Sequence, residues 1–195
     1  VSAQNLSVRQ IMAEPSLAGM RPDSQRLSPD GQKVIFAWNA EGKEPKNLYL
    51  WTGGEPKILV NAEQNFEPRT LPPESKLNYG LILRDDFVKM REKNLGGVEF
   101  SPDSRKILFL QNSDIYILDL TDSAARPRRI TRTQGFENSA RWLTNDSILY
   151  SSNGNFFVLN LKETSLIQVT KDANPAAFVS IFGVNPTKDG KMIAY

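Results

Sequence analysis

The feature that most constrains this chain is a block that recurs three times: a tight polar turn, an alternating apolar run, a second such run, and a third built around Ile or Val. The first copy has the turn Ser28-Pro29-Asp30-Gly31, then KVIFAW (33–38), NLYLW (47–51) and PKILV (56–60). The second has Ser101-Pro102-Asp103-Ser104, KILFLQ (106–111), DIYILDL (114–120) and RRIT (128–131). The third degrades the turn to Leu143-Thr144-Asn145-Asp146, followed by SILYSS (147–152), NFFVLNL (155–161) and LIQVT (166–170). A fourth begins at Asn185-Pro186-Thr187-Lys188-Asp189-Gly190 with KMIAY (191–195). Pro102 and Thr144 are 42 positions apart, as are Thr144 and Pro186. That matches the roughly 40–45 residues of a four-stranded propeller blade.

The expected fold is therefore all-β: a β-propeller of four-stranded antiparallel blades, three of them plus the start of a fourth, behind a short N-terminal helix. The expected organisation is an N-terminal helix and lead-in over 1–25 and a partial propeller over 26–195. Its parts are a blade at 26–60, an insertion at 61–96, blades at 97–132 and 138–170, and a partial blade at 178–195. The insertion follows from Pro29 and Pro102 being 73 positions apart, roughly 30 more than the blade period. Three blades fall below the usual closed ring of about 4–8, and the strand at 191–195 has no successor. The expectation is an N-terminal fragment of a longer protein.

Strand patterning says how the blades pack. Alternation puts Tyr116, Leu118 and Leu120 on one face of their strand and Ile115 and Ile117 on the other. Phe157, Leu159 and Leu161 oppose Phe156 and Val158 in the same way. Strands apolar on both faces need a neighbour on each side, so the blades must stack. In the turns, Pro presets φ, Asp caps its own turn and Gly accepts positive φ. Aromatic residues mark the strands throughout: Phe36, Trp38, Tyr49, Trp51, Phe100, Phe109, Tyr116, Trp142, Tyr150, Phe156 and Phe157. They are read as inter-blade filling, with Trp38 and Trp51 as candidates to face a ligand.

Ser7 and Gln10 have the spacing of a capping box, with Leu6 and Ile11 as a hydrophobic staple. A short amphipathic helix follows, limited by Pro15, with Val8, Ile11 and Met12 as the face packed on the propeller. In the insertion, residues 61–76 read as a Pro-rich loop. Leu83, Phe87 and Met90 have helical spacing, and Asp85 and Lys89 are placed for an i,i+4 ion pair. Arg84, Asp85 and Asp86 are candidates to approach a pocket, read against the simpler role of solvated charges.

Several function classes are closed by composition. The chain of 195 residues has no His and no Cys. Histidine-dependent acyl transfer, His-ligated zinc, thiolate metal sites and disulfides are thus unavailable to it. A net charge of +2 argues against nucleic-acid binding, which needs a concentrated basic surface. The densest basic stretch, Arg126, Arg128, Arg129 and Arg132, reads as a solvated blade edge. Asp30, Asp103 and Asp146 recur at turns, each in a separate blade, and no metal or cofactor is assigned to them. No apolar run approaches the ~20 residues needed to span a bilayer.

The stretch IMAEPSLAGMRPDSQRLSPDGQKVIFAW (11–38), together with RRITRTQGFENSARW (128–142), resembles the N-terminal region of the prolyl oligopeptidase family, in particular its dipeptidyl peptidase IV-like bacterial members. The SPDG turns and the following IYxxDL strand are shared with TolB-like periplasmic propellers; IMAEPSLAG (11–19) is the narrower signal. The resemblance implies a secreted or periplasmic serine peptidase whose propeller gates short peptides toward a downstream α/β-hydrolase domain carrying a Ser-Asp-His triad. It assigns this chain no catalytic residue. Two departures stand out: there is no Glu-Glu pair to hold a substrate amino group, and no G-x-S-x-G turn to present a nucleophile. The alternative is a TolB-like interaction propeller without chemistry.

Overall fold

The computed structural model describes residues 7–12, 19–68, 92–133, 135–173, 185–187 and 193–194. The strands are β1 (Asp23–Leu27), β2 (Val34–Trp38), β3 (Asn47–Trp51), β4 (Lys57–Val60), β5 (Leu95–Phe100), β6 (Lys106–Gln111), β7 (Asp114–Asp119), β8 (Arg128–Arg129), β9 (Glu137–Thr144), β10 (Ser147–Ser152), β11 (Asn155–Asn160), β12 (Ser165–Gln168), β13 (Asn185–Pro186) and β14 (Ile193–Ala194). Two one-turn helices accompany them, α1 (Val8–Ile11) and α2 (Ala62–Asn65).

The first twelve strands form three four-stranded antiparallel meanders, β1-β2-β3-β4, β5-β6-β7-β8 and β9-β10-β11-β12. β13 and β14 pair Asn185 with Ala194 and Pro186 with Ile193. The alternating runs account for three strands per sheet; the fourth, β1, β5 or β9, precedes the polar turn. These first strands carry bulges against their partners, which breaks the period-2 pattern that makes the others legible. β1 adjoins β5 and β5 adjoins β9, so the sheets fan out from a shared inner edge.

The two-faced strands pack as their pattern dictates. Ile35, Ala37, Leu48 and Val60 of the first sheet meet Val98, Phe100, Ile107, Phe109, Tyr116 and Leu118 of the second. The opposite face of the second sheet, with Leu108, Ile115 and Ile117, meets Ala140, Trp142, Ile148 and Tyr150 of the third, with Phe157, Leu159 and Leu161 beside them. Each sheet repeats one cross-strand aromatic pair between its second and third strands: Phe36 with Tyr49, Phe109 with Tyr116 and Tyr150 with Phe157. Their ring centroids lie 5.6, 5.4 and 5.7 Å apart, stacked in all three. In the second and third sheets this pair packs on the preceding sheet.

The polar turns explain their own sequences. The Ser28 hydroxyl donates to Asp30 Oδ1 (2.5 Å) and accepts from the Lys33 amide (2.9 Å), while Asp30 Oδ1 also accepts from the Gln32 amide (3.0 Å). Ser101, Asp103, Arg105 and Lys106 repeat this arrangement. The fourth turn residue has positive φ, +71° at Gly31 and +59° at Ser104, which explains the glycine at the first. The hairpins β6–β7 and β10–β11 turn on Asn112-Ser113 and Asn153-Gly154, all with positive φ, as the strand twist requires.

Turns of successive sheets are also tied together. The Asp30 amide donates to Ser104 Oγ (3.1 Å) and the Asp103 amide to Asn145 Oδ1 (3.0 Å).

Two expectations are corrected. Val8 and Met12 are 77% and 78% exposed, so these two residues of the helix face are not packed on the blades; a single turn buries too little to dock. Within the loop expected at 61–76, Asn61 starts α2 by accepting from the amides of Glu63 (3.1 Å) and Gln64 (3.0 Å), an N-cap that the Pro-rich composition masked. The expected helix around Leu83, Phe87 and Met90, and the Asp85–Lys89 pair, lie outside the described residues.

Candidate functional site

An antiparallel meander has two ends. The polar turns and the β3–β4, β7–β8 and β11–β12 links share one rim; the β2–β3, β6–β7 and β10–β11 hairpins and the exits from β4, β8 and β12 share the other, called here the exit rim.

At the exit rim, Arg129 joins three segments. Its Nη2 lies 2.6 Å from Asp114 Oδ2, its Nη1 2.7 Å from Glu67 Oε2, and its Nε donates to the Thr131 carbonyl (3.1 Å). Arg132 Nη2 reaches the same Glu67 Oε2 at 3.1 Å. Asp114 is buried and the Arg129 side chain is only 12% exposed, so the central guanidinium is fixed in place. Glu67 is half-exposed, and the Asn112 amide group holds its backbone carbonyl (3.1 Å). Burial raises the Tyr116 phenol above its ordinary value, leaving it a neutral neighbour of this ion cluster.

Buried polar groups support the rim. Gln111 donates from Nε2 to the carbonyls of Ala62 and Lys93, each at 2.7 Å, and accepts from Asn65 Nδ2 (2.8 Å). It thereby joins the two ends of the segment inserted between the first two sheets. Thr131 Oγ1 accepts from the Ile115 amide (2.9 Å) and donates to Glu137 (3.3 Å), which also accepts from Thr133. Thr170 serves the Phe156 amide in the same way in the third sheet (2.9 Å).

Near the shared inner edge, Glu99 of β5 faces the third sheet. Its Oε2 accepts from the Trp142 amide (2.7 Å) and its carbonyl from Trp142 Nε1 (3.3 Å). Burial pushes its carboxyl above the ordinary value, opposed by the Trp142 hydrogen bond and the charges of Arg141 and Arg26.

These positions revise the sequence candidates. The basic stretch divides: Arg126 and Arg128 are exposed along a groove shared with Lys106, Asp119, Asp146 and Lys162, whereas the mostly covered Arg129 side chain is held in an ion cluster rather than solvated. Trp38 and Trp51 stand at opposite ends of the β2–β3 hairpin, paired with Asn47 and Val34. Trp38 is partly buried against Tyr49 and donates from Nε1 to the Met20 carbonyl (2.7 Å); Trp51 is 41% exposed. Asp30 and Asp103 are occupied in capping their turns, and among the described residues no three carboxylates gather as metal ligands. Arg84, Asp85 and Asp86 lie outside the described residues. Sequence reasoning missed Glu67, Asp114 and Gln111; the signal available for the last two was a charged or amide residue at the end of a doubly apolar strand.

Solved structures similar to this chain fit the stacked meanders. TolB from Acinetobacter baumannii matches at TM-score 0.56 and 18% identity over 89% of this chain and 37% of that one. A putative TolB from Agrobacterium tumefaciens matches at TM-score 0.54 and 18% identity over 88% of this chain and 53% of that one. The fold is a β-propeller of the TolB kind. This propeller chain spans between about a third and a half of the length of those structures. A puromycin-hydrolyzing peptidase from Mycobacterium tuberculosis matches at 14% identity over 79% of this chain and 24% of that one, at TM-score 0.49, too low to bear on the fold. No family model matches the sequence. Among the described residues, no helix is long and apolar enough to cross a membrane.

Proposed function

We propose that this chain is the non-catalytic propeller part of a secreted or periplasmic serine peptidase of the prolyl oligopeptidase kind, and that it admits short peptides to a separate α/β-hydrolase domain. One observation carries the reading: the opening IMAEPSLAG (11–19), resembling that family, leads into blades rigidly tied to one another by Asp30–Ser104, Asp103–Asn145 and Glu99–Trp142 contacts. Rigid blades frame an opening of fixed size, which excludes folded proteins. The chain has no His, so the imidazole of a Ser-Asp-His triad must come from the other domain.

The test assays the 195-residue chain and the product of its whole reading frame on dipeptidyl and tetrapeptidyl amides and on a folded protein. The expected result is no hydrolysis by the chain alone and hydrolysis of short peptides only by the whole product. Equal cleavage of the folded protein overturns the gating role. A reading frame that closes its ring with no G-x-S-x-G turn overturns the peptidase. That second outcome is the mark of a TolB-like interaction propeller, the reading favoured by the two TolB superpositions.

A further inference from the structure

We propose that Arg129 and Arg132 form a carboxylate-binding clamp for peptides at the exit rim, and that Glu67 is its built-in occupant, displaced when a peptide carboxylate arrives. The proposal rests on the reading that peptides pass this propeller; it is tested by binding rather than hydrolysis, so that either can fail alone.

Three observations carry it. The first is preorganisation. Arg129 is held from behind by the buried Asp114 carboxylate and by the Thr131 carbonyl, so its Nη1 edge is presented without rearrangement, which favours recognition of a planar anion. The second is convergence. Arg129 Nη1 and Arg132 Nη2, with Ile130 and Thr131 between them in sequence, meet on one oxygen, Glu67 Oε2, at 2.7 and 3.1 Å. Asp114 offsets one of the two positive charges, and the other is left for the carboxylate that sits there.

The third is the nature of the occupant. Glu67 belongs to neither the second nor the third sheet; it follows α2 and is joined to the site from 62 and 65 residues away in sequence. It is 51% exposed and Arg132 is 75% exposed, so water reaches the contact and the seated carboxylate can leave without breaking the core. A half-exposed ion pair adds little to stability. A tethered carboxylate on a fixed guanidinium nonetheless competes strongly with a free one, because its local concentration is high.

The shared chemistry is a carboxylate, and the source proposed is a peptide's C-terminus. The probes are acetyl-tetra-alanine with a free C-terminus, its C-terminal amide, and an amide-capped tetrapeptide containing one Asp, titrated calorimetrically at low salt into the full chain. The free acid is expected to bind, and the amide without Asp is not. If Glu67 is seated in about nine chains of ten, Glu67→Ala tightens binding about tenfold. Glu67→Gln does the same with less change to the loop, and adding Arg132→Ala to either variant abolishes the gain. Comparable binding of the Asp-containing amide supports the clamp and extends it to side-chain carboxylates. Equal binding of acid and amide, no binding of the acid by the wild type or either Glu67 variant, or affinity unchanged in both Glu67 variants overturns the proposal and leaves Glu67 a structural tie.

Discussion

At the scale of single residues, the polar turns show how much a side chain does beyond filling space. Ser101 is fully buried, accepts from the Lys106 amide and donates to Asp103. Ser101→Ala leaves that amide without its partner, and a loss of about 1–3 kcal/mol is expected in urea unfolding. Asp30 is held well below the usual carboxylate range, chiefly by the Lys33 ammonium, then by the Ser28 hydroxyl and the Gln32 amide. Its contribution to stability is therefore present above the ordinary value of 3.8 and lost as pH falls toward the depressed value. Glu99 runs the other way. Burial raises its carboxyl above 4.5, so folding favours the protonated form, and stability drains as pH rises from 4.5 through the folded value. Glu99→Gln keeps an acceptor for the Trp142 amide; its melting temperature is expected to exceed the wild type's at pH 7 and to converge with it below pH 4.5. A constant offset across that range would show that burial of the charge is not the cause.

At the scale of elements, the aromatic pair of the second sheet sits on a face that the first sheet covers. Phe109 is fully buried and Tyr116 nearly so, between the first and second sheets. Phe109→Ala is expected to cost about 3–5 kcal/mol, lost burial and cavity together. Leu27 and Ile58 of the first sheet are 66% and 53% exposed, and Ile58→Thr is expected to change stability by under about 0.5 kcal/mol. The same denaturation series measures both. These strands were legible in advance because period-2 alternation and the SPDG turn are local properties. β1, β5 and β9 were not, since their bulges shift the alternation. α2 was hidden for another reason: a one-turn helix has no periodicity to read, and its existence depends on Asn61 capping it and on Asn47 accepting the Ala62 amide (2.9 Å).

At the scale of the whole molecule, the described cores lie between neighbouring sheets of a stack, so stability is close to a sum of sheet and interface contributions. Asn145→Ala removes the acceptor that ties the second turn to the third. Amide hydrogen exchange is expected to quicken in β9–β12, by roughly 1 kcal/mol of opening free energy, with β1–β4 unchanged. Exchange that rises evenly through all three sheets would show one cooperative unit instead. The amino-acid sequence by itself determined the repeat, the two-faced strands and the exclusion of imidazole and thiolate chemistry, because alternation, turn geometry and composition act within a few residues. Only tertiary structure decided that Arg129 leaves the solvated basic stretch to meet Glu67 and Asp114, and that Glu99 lies against Trp142. Those encounters depend on where the rims of separate sheets fall once their cores are packed, and the packed core is a property of the sheets together, which no local pattern records.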